Sequence, residues 1–139
     1  MIGKKTFVLQ QDQSDCGVAC LASIVKYYGG DSSLEQLRKL SGTSKQGTTL
    51  LGLMQAAQQL GFETEGLEAE SVHNLQELNE PAILHVVIEN RLQHYLVYYP
   101  SEFNRNRDWG VAIKILDPAK GIVILNKDEL NAIWKSKVE

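Results

Sequence analysis

Gln10-Gln11-Asp12-Gln13-Ser14-Asp15-Cys16-Gly17-Val18-Ala19-Cys20-Leu21 holds the signals that decide how this chain folds. Ser14 and Asp15 are residue types that cap helix starts, and the apolar side chains at Val18, Leu21, Ala22, Val25 and Tyr28 recur at the spacing of one buried helical stripe. Gly29-Gly30 ends that helix. Cys16 therefore falls on a first helical turn, where free backbone N–H groups and the helix dipole favour a thiolate, the reactive form of cysteine. Gly17 removes a side chain beside the sulfur and would let a substrate backbone come close. An upstream glutamine is suited to donate its amide to the oxyanion formed when a thiolate attacks a carbonyl, and Gln10, Gln11 and Gln13 all qualify. The plain alternative is that Cys16 is a small buried hydrophobe, the commonest fate of a free cysteine.

Outward from this stretch the first half reads as helical. Ser32 or Ser33 caps a second helix through Leu34, Leu37 and Leu40 that ends at Gly42, and Thr48 or Thr49 opens a third, with Leu50, Leu53, Met54 and Ala57 inward and Gly61 as its stop. From Phe62 the period changes. Phe62 to Leu67 partly alternates and predicts a first strand, and Val72 to Leu78 a short helical turn. Ala82 to Ile88 is apolar enough for a central strand, Asn90-Arg91-Leu92 a turn, and His94 to Tyr99 a second strand rich in β-formers. Ser101 to Asp108 reads as a long exposed loop. Trp109 to Leu116 and Gly121 to Leu125 read as a hairpin about Asp117-Pro118-Ala119-Lys120. Asn126-Lys127-Asp128-Glu129 is a capping box for a last helix ending near Trp134. Helices followed by an antiparallel sheet predict an α+β layer fold, and no repeat or linker divides residues 1–139, so a single domain is expected.

Composition narrows the function classes. The 139 residues are 43% hydrophobic and 22% charged, with a net charge of -3, which describes a globular chain. Lys and Arg are scattered, so no basic stripe marks a nucleic-acid partner. No apolar run approaches the roughly 18 residues of a membrane span. No Gly-rich loop followed by Lys-Ser/Thr would bind ATP, so no cofactor is expected in this domain. Cys16 and Cys20 are too few for a disulfide framework, and at i,i+4 on one helix they cannot meet disulfide geometry without strain, so a reducing compartment is expected.

A thiolate nucleophile needs an imidazole, and the imidazole needs an orienting acceptor. Of three histidines, His73 lies in a polar stretch and His85 inside an apolar strand, where a packed or hydrogen-bonded ring is the ordinary reading. His94 opens a strand beside a turn, from which its ring can reach a helix start. Asp117 ends a strand before Pro118, where a plain turn aspartate is equally at home.

Taken together, Gln10, Asp15-Cys16-Gly17, Ala19-Cys20-Leu21, His94-Tyr95 and Asp117-Pro118, with Gly47-Thr48-Thr49 and Gly61-Phe62 between them, resemble the double-glycine leader peptidases. These are cytosolic N-terminal domains of bacterial ABC transporters that export bacteriocins and related peptides. The resemblance runs from about Gln10 to Trp134 and implies a papain-like cysteine peptidase fold. It implies Cys16 as nucleophile, His94 as base, Asp117 as orienter and Gln10 as oxyanion donor with the Cys16 N–H, Gln10 having the family's spacing to the cysteine. It further implies cleavage after a Gly-Gly type site and, as partners, a precursor peptide with an amphipathic helical leader and the transporter's own transmembrane and ATP-binding domains. The location implied is the cytoplasmic face of the bacterial plasma membrane, with this fragment itself soluble and ATP bound only by a downstream domain. Tyr95, Tyr98, Tyr99 and Trp109 are candidates for the groove that takes the leader helix, against a core role for each. The Ser101 to Asp108 loop is longer than the family leads one to expect.

Three other readings stand beside this one. A relative that only docks a secretion substrate would lack the nucleophile, which is present here. A different hydrolase or transferase of the same fold would act on side-chain or small-molecule amides. A metal or redox module on Cys16, Cys20 and a histidine would want a second ligand pair, which the lone C-x-x-x-C spacing lacks, so no metal is expected.

Overall fold

The structure, a computed structural model, describes residues 7–66, 72–89, 92–106 and 108–134. Three helices, α1 (Cys16–Tyr27), α2 (Leu34–Ser41) and α3 (Leu50–Gln59), precede a four-stranded antiparallel sheet of β1 (Ala82–Ile88), β2 (Leu92–Tyr98), β3 (Ile113–Asp117) and β4 (Gly121–Leu125) in that spatial order. Short helices α4 (His73–Gln76) and α5 (Glu102–Arg105) flank the first hairpin, and α6 (Lys127–Ile133) closes the described chain. The α+β layering expected from the sequence is the one observed.

The local signals act largely where they stand. Ser33 caps α2 and Thr49 caps α3 through side-chain oxygens that accept from Gln36 and Gly52 N–H, and Asn126 and Glu129 form the reciprocal capping box of α6. Gly42 ends α2 in the left-handed region at φ 71, a conformation that glycine adopts without steric cost. The start of α1 differs from expectation. Asp12, not Ser14 or Asp15, caps the short 3-10 turn Gln13–Asp15 that leads into the helix, and Asp15 makes no capping bond.

Strand β2 is buried on both faces and divides the core. Tyr95, Val97 and Tyr99 pack with Val18, Leu21, Leu37 and Leu53 under the three large helices, while Leu96 and Tyr98 pack with Trp109, Ile113, Leu130 and Trp134 on the other side. This alternation is the two-residue period of a strand with apolar side chains on both sides. Tyr95, Tyr98, Tyr99 and Trp109 are thus core, each at most 6% exposed, and none lines a surface groove. Strand β1 lies at the edge of the sheet, where the buried Val86 is bridged by Trp134.

Two expectations fail. Phe62 to Gly66 forms no strand, and Leu67 lies outside the described residues, as do Asn90 and Arg91 of the expected turn. Phe62 instead packs its ring toward Tyr28, so the partial alternation there reflects one apolar anchor and not a ladder. The segment from Ser101 to Asp108 is not simply an exposed loop: it holds α5, and Asn104 is fully buried. The Asn104 amide donates to the Tyr99 and Lys114 carbonyls at 2.9 and 3.0 Å and accepts from the Lys114 N–H at 2.8 Å. Its own carbonyl accepts from the Trp109 indole at 2.7 Å. The β2–β3 ladder comprises only Val97↔Leu116 and Tyr98↔Ile115, so the Asn104 side chain continues the pairing where the backbones part. A polar residue in a polar stretch gave no hint of this, because its partners are main-chain groups of distant strands. Trp109 correspondingly sits in a turn, and β3 begins at Ile113.

Candidate active site

Cys16 is the first residue of α1, a free thiol 5% exposed. The helix is set closely against its neighbours there. A Cβ built on Gly17 would lie 3.3 Å from the Leu53 methyls of α3 and from the Tyr95 ring of β2. Gly17 is therefore a packing glycine that lets the Cys16 end of α1 settle onto the sheet, and the space expected for a substrate backbone is filled by protein. Tyr95 is held in turn by its hydroxyl, which donates to the Thr48 carbonyl at 2.8 Å.

His94 and Asp117 meet where the β2–β3 ladder ends. The ring Nε2 and the carboxylate Oδ1 are 2.8 Å apart, both residues being buried. Asp117 is fixed by a second bond from the Ala119 N–H at 2.8 Å, so the turn that looked like a sufficient explanation for this aspartate serves to orient it. With Nε2 engaged, Nδ1 is buried and has no hydrogen-bond partner among the described nitrogen and oxygen atoms. The Cys16 thiol neighbours the ring and interacts with it.

The electrostatics follow from these contacts. Burial disfavours the charged ring of His94, but the Asp117 hydrogen bond and the Cys16 sulfur outweigh it and push its pKa up to about 9. Burial likewise opposes the Asp117 carboxylate, yet His94 and the Ala119 N–H hold its pKa below the ordinary value. Cys20, fully buried one turn after Cys16, has its thiol pushed well up by desolvation and is inert packing near neutral pH.

Gln10 is tied to the turn that carries Asp117. Its backbone N–H donates to the Pro118 carbonyl at 2.8 Å, and its side-chain Oε1 is buried without a partner. Its rivals are placed differently: Gln13 is exposed, and Gln11 is exposed with its amide oxygen held by Arg38 at 3.1 Å. Five buried side-chain polar atoms lack partners among the described residues, and two of them belong to Gln10 and His94. Unsatisfied buried polar atoms are uncommon in folded proteins; the other three belong to Tyr98, Tyr99 and Trp134 in the core.

The other histidines lie apart. His73 is exposed, and His85 stacks on the Tyr95 ring at 5.2 Å while bonding Gln93. Among the described residues no group of three or more His, Cys, Asp or Glu is arranged to hold a metal ion, and no helix is long and apolar enough to cross a membrane. A residue that sequence reading missed is Arg38, whose guanidinium clasps Asp15 beside Cys16; nothing local to Arg38 signals a partner 23 positions away.

Known proteins resemble this chain over most of its length. The lactococcin-G-processing and transport ATP-binding protein LagD of Lactococcus lactis subsp. lactis is 36% identical over 131 residues, 94% of this chain and 18% of that protein. The transport/processing ATP-binding protein ComA of Streptococcus pneumoniae is 40% identical over 135 residues, 95% of this chain and again 18% of the relative. The chain thus spans under a fifth of the length of the curated relatives it matches. The crystal structure of the peptidase domain of Streptococcus ComA superposes with a TM-score of 0.81 at 39% identity, covering 95% of this chain and 93% of that one. A double glycine motif protease from an AMS/PCAT transporter, crystallised with its leader peptide, gives 0.77 at 27% identity over 94% and 85% of the two chains. The fold is accordingly the papain-like one of these peptidase domains. Residues 4–138 match the model of the Peptidase C39 family, and the chain belongs to that family.

Proposed function

We propose that this chain is a cysteine endopeptidase that removes the leader of a precursor peptide by cutting after a Gly-Gly type site. In this reading Cys16 is the nucleophile, His94 the acid and base, and Asp117 the orienter. Gln10 and the Cys16 N–H are the oxyanion donors. The observation that carries it is the His94 Nε2 to Asp117 Oδ1 bond of 2.8 Å, which leaves Nδ1 buried, unpaired and beside the Cys16 thiol. A ring anchored through Nε2 keeps Nδ1 available for the neighbouring sulfur, the relation a thiolate–imidazolium pair needs.

The chemistry then runs in two halves. The Cys16 thiolate attacks the scissile carbonyl carbon, and the negative charge passes to the carbonyl oxygen. An amide interchanges its oxygen and nitrogen by a half-turn of its terminal torsion, so the buried place of Gln10 Oε1 is equally available to its N–H donor. That donor and the Cys16 N–H at the helix start stabilise the oxyanion. The imidazolium of His94 gives its proton to the leaving amine, the C–N bond breaks, and a thioester remains on Cys16. His94 then takes a proton from water, whose oxygen attacks the thioester, and the thiolate is regenerated with release of the leader as its carboxylate.

Substrate and setting come from the relatives. One is a double glycine motif protease bound to a leader peptide, and others are processing and transport ATP-binding proteins. We accordingly read this chain as the peptidase unit of an ABC exporter at the cytoplasmic face of a bacterial membrane. The precursor leader and the transporter's membrane-spanning and ATP-binding domains are its partners.

The test is a synthetic precursor with a helical leader and a Gly-Gly junction, compared with the same peptide carrying Val-Val there. The expected result is one cut, after the second glycine, found by mass spectrometry only in the first peptide. Binding of both peptides with no cut in either would replace the peptidase reading with a docking one.

A further inference from the structure

Arg38 stands outside the group of residues just assigned, yet it grips the chain on both sides of the segment leading to Cys16. From α2 its Nε and Nη2 donate to the two oxygens of Asp15 at 2.8 and 2.7 Å, a bidentate fork, and Nη2 also donates to the Gln11 amide oxygen at 3.1 Å. Asp15 immediately precedes Cys16 and is 1% exposed, while the Arg38 side chain is one-third exposed. Asp15 sits at the α1 N-cap position but forms no capping bond, so its carboxylate serves the arginine alone. Gln11 immediately follows Gln10. One guanidinium therefore fixes the neighbours of both the proposed nucleophile and the proposed oxyanion donor.

The charge of Asp15 makes this more than a brace. A buried carboxylate next to a thiolate has the wrong sign, because a like charge nearby disfavours the ionised sulfur. The remaining groups facing Cys16 do not cancel it. From β2 come His94 and Tyr95, and from the end of β3 comes Asp117, whose charge is taken up by His94. From α1 itself comes Cys20, and the uncharged Leu53 of α3 packs against the adjoining Gly17. Tyr95 is pushed up to about 12 and Cys20 well up, so neither carries charge near neutrality. Arg38 also feels the charges of Asp12 and Glu35, of which Glu35 pairs with Lys39 at the surface of α2 and Asp12, exposed ahead of α1, is bonded to Ser14.

We propose that Arg38 is a positioning residue of the peptidase site, aligning Asp15 and Gln11 and neutralising the buried Asp15 carboxylate so that Cys16 ionises in its catalytic place. This rests on Cys16 being the nucleophile. It predicts that the pair is needed as a pair: either charge alone is harmful or distorting, and removing both is tolerated electrostatically.

The experiment follows alkylation of Cys16 by iodoacetamide against pH, with the modified cysteine identified by mass spectrometry, in wild type, Arg38→Gln, Arg38→Lys, Asp15→Asn and the double variant Asp15→Asn/Arg38→Gln. Arg38→Gln is expected to move the midpoint up by about one pH unit, roughly a tenfold slower reaction on the acidic side. Asp15→Asn is expected to move it down, while Arg38→Lys and the double variant stay near wild type. Coincident midpoints, with cleavage merely slowed, would show a purely structural brace and overturn the proposal. If Arg38→Gln does not fold, Asp15→Asn decides: an unchanged or raised midpoint overturns it. Failure of the nucleophile assignment is seen separately, as cleavage that survives Cys16→Ala.

Discussion

The backbone N–H of Gln10 donates to the carbonyl oxygen of Pro118 across 2.8 Å. That single bond ties the segment before α1 to the turn that carries Asp117. The same segment is held to α1 by Ser23, fully buried, whose hydroxyl accepts from the Val8 N–H at 2.9 Å and donates to the Ala19 carbonyl at 3.0 Å. Gln10, Cys16 and the His94–Asp117 pair therefore share one rigid frame although they come from four separate stretches of chain.

Ser23→Ala tests this frame. It leaves the Val8 N–H unpaired and should cost about 1–2 kcal/mol in urea unfolding. Because the loosened segment carries the proposed oxyanion donor, kcat should fall several-fold while KM stays near wild type. An unchanged kcat would detach Gln10 from the oxyanion role.

The pH dependence of stability follows from the buried pair. His94 has a folded value near 9 against 6.5 unperturbed, so its contribution is fully present below pH 6.5 and is lost as pH rises through about 9. The difference corresponds to on the order of 3 kcal/mol. Asp117 is lowered from 3.8, so its contribution is present above that value and is lost as pH falls through its lower folded one. Calorimetric Tm should hold between about pH 4 and 6.5, decline toward pH 10, and lose the alkaline decline in His94→Gln.

The two helix glycines should respond differently to alanine. Ordinarily Gly→Ala within a helix stabilises by about 1 kcal/mol. At Gly17 the new methyl meets the Leu53 methyls, which are flexible side-chain ends, and the edge of the Tyr95 ring, all at 3.3 Å, so a shift of a few tenths of an ångström relieves the contact. At Gly52 it would collide with the main-chain oxygen of Ser41 at the α2–α3 crossing, which cannot move alone. Gly17→Ala should therefore change stability by less than about 1.5 kcal/mol, and Gly52→Ala should lose on the order of 3 kcal/mol or more. Equal effects in denaturant titrations would contradict the packing described.

Asn104→Ala should be among the most damaging polar substitutions. It deprives the Tyr99 and Lys114 carbonyls and the Lys114 N–H of their partner inside the protein. A loss of about 3 kcal/mol is expected from chemical denaturation. A loss below about 1 kcal/mol would mean that water reaches the gap between β2 and β3.

What the sequence made legible was what short-range chemistry controls. Ser33, Thr49 and the Asn126–Glu129 box cap helices through bonds spanning two or three residues, so their meaning is visible in a short window. The β1 and β2 strands are rich in apolar residues because β1 is at least half-buried along its length and β2 is buried from His94 onward. His94 at the start of a strand and Asp117 before a proline stand out as candidates in the sequence, and the fold brings these two into contact across 23 positions. Asn104 and Arg38 stayed hidden for the opposite reason: each is polar, each sits among polar neighbours, and its partners lie on other elements. Gly17 shows that absence of a side chain serves protein packing as readily as substrate approach.

The most direct test of the account is cleavage of the Gly-Gly precursor by wild type and by Cys16→Ala, with peptide binding measured on both. The account predicts that the variant binds the precursor as wild type does and leaves it uncut. Cleavage by Cys16→Ala at a rate near wild type would contradict it.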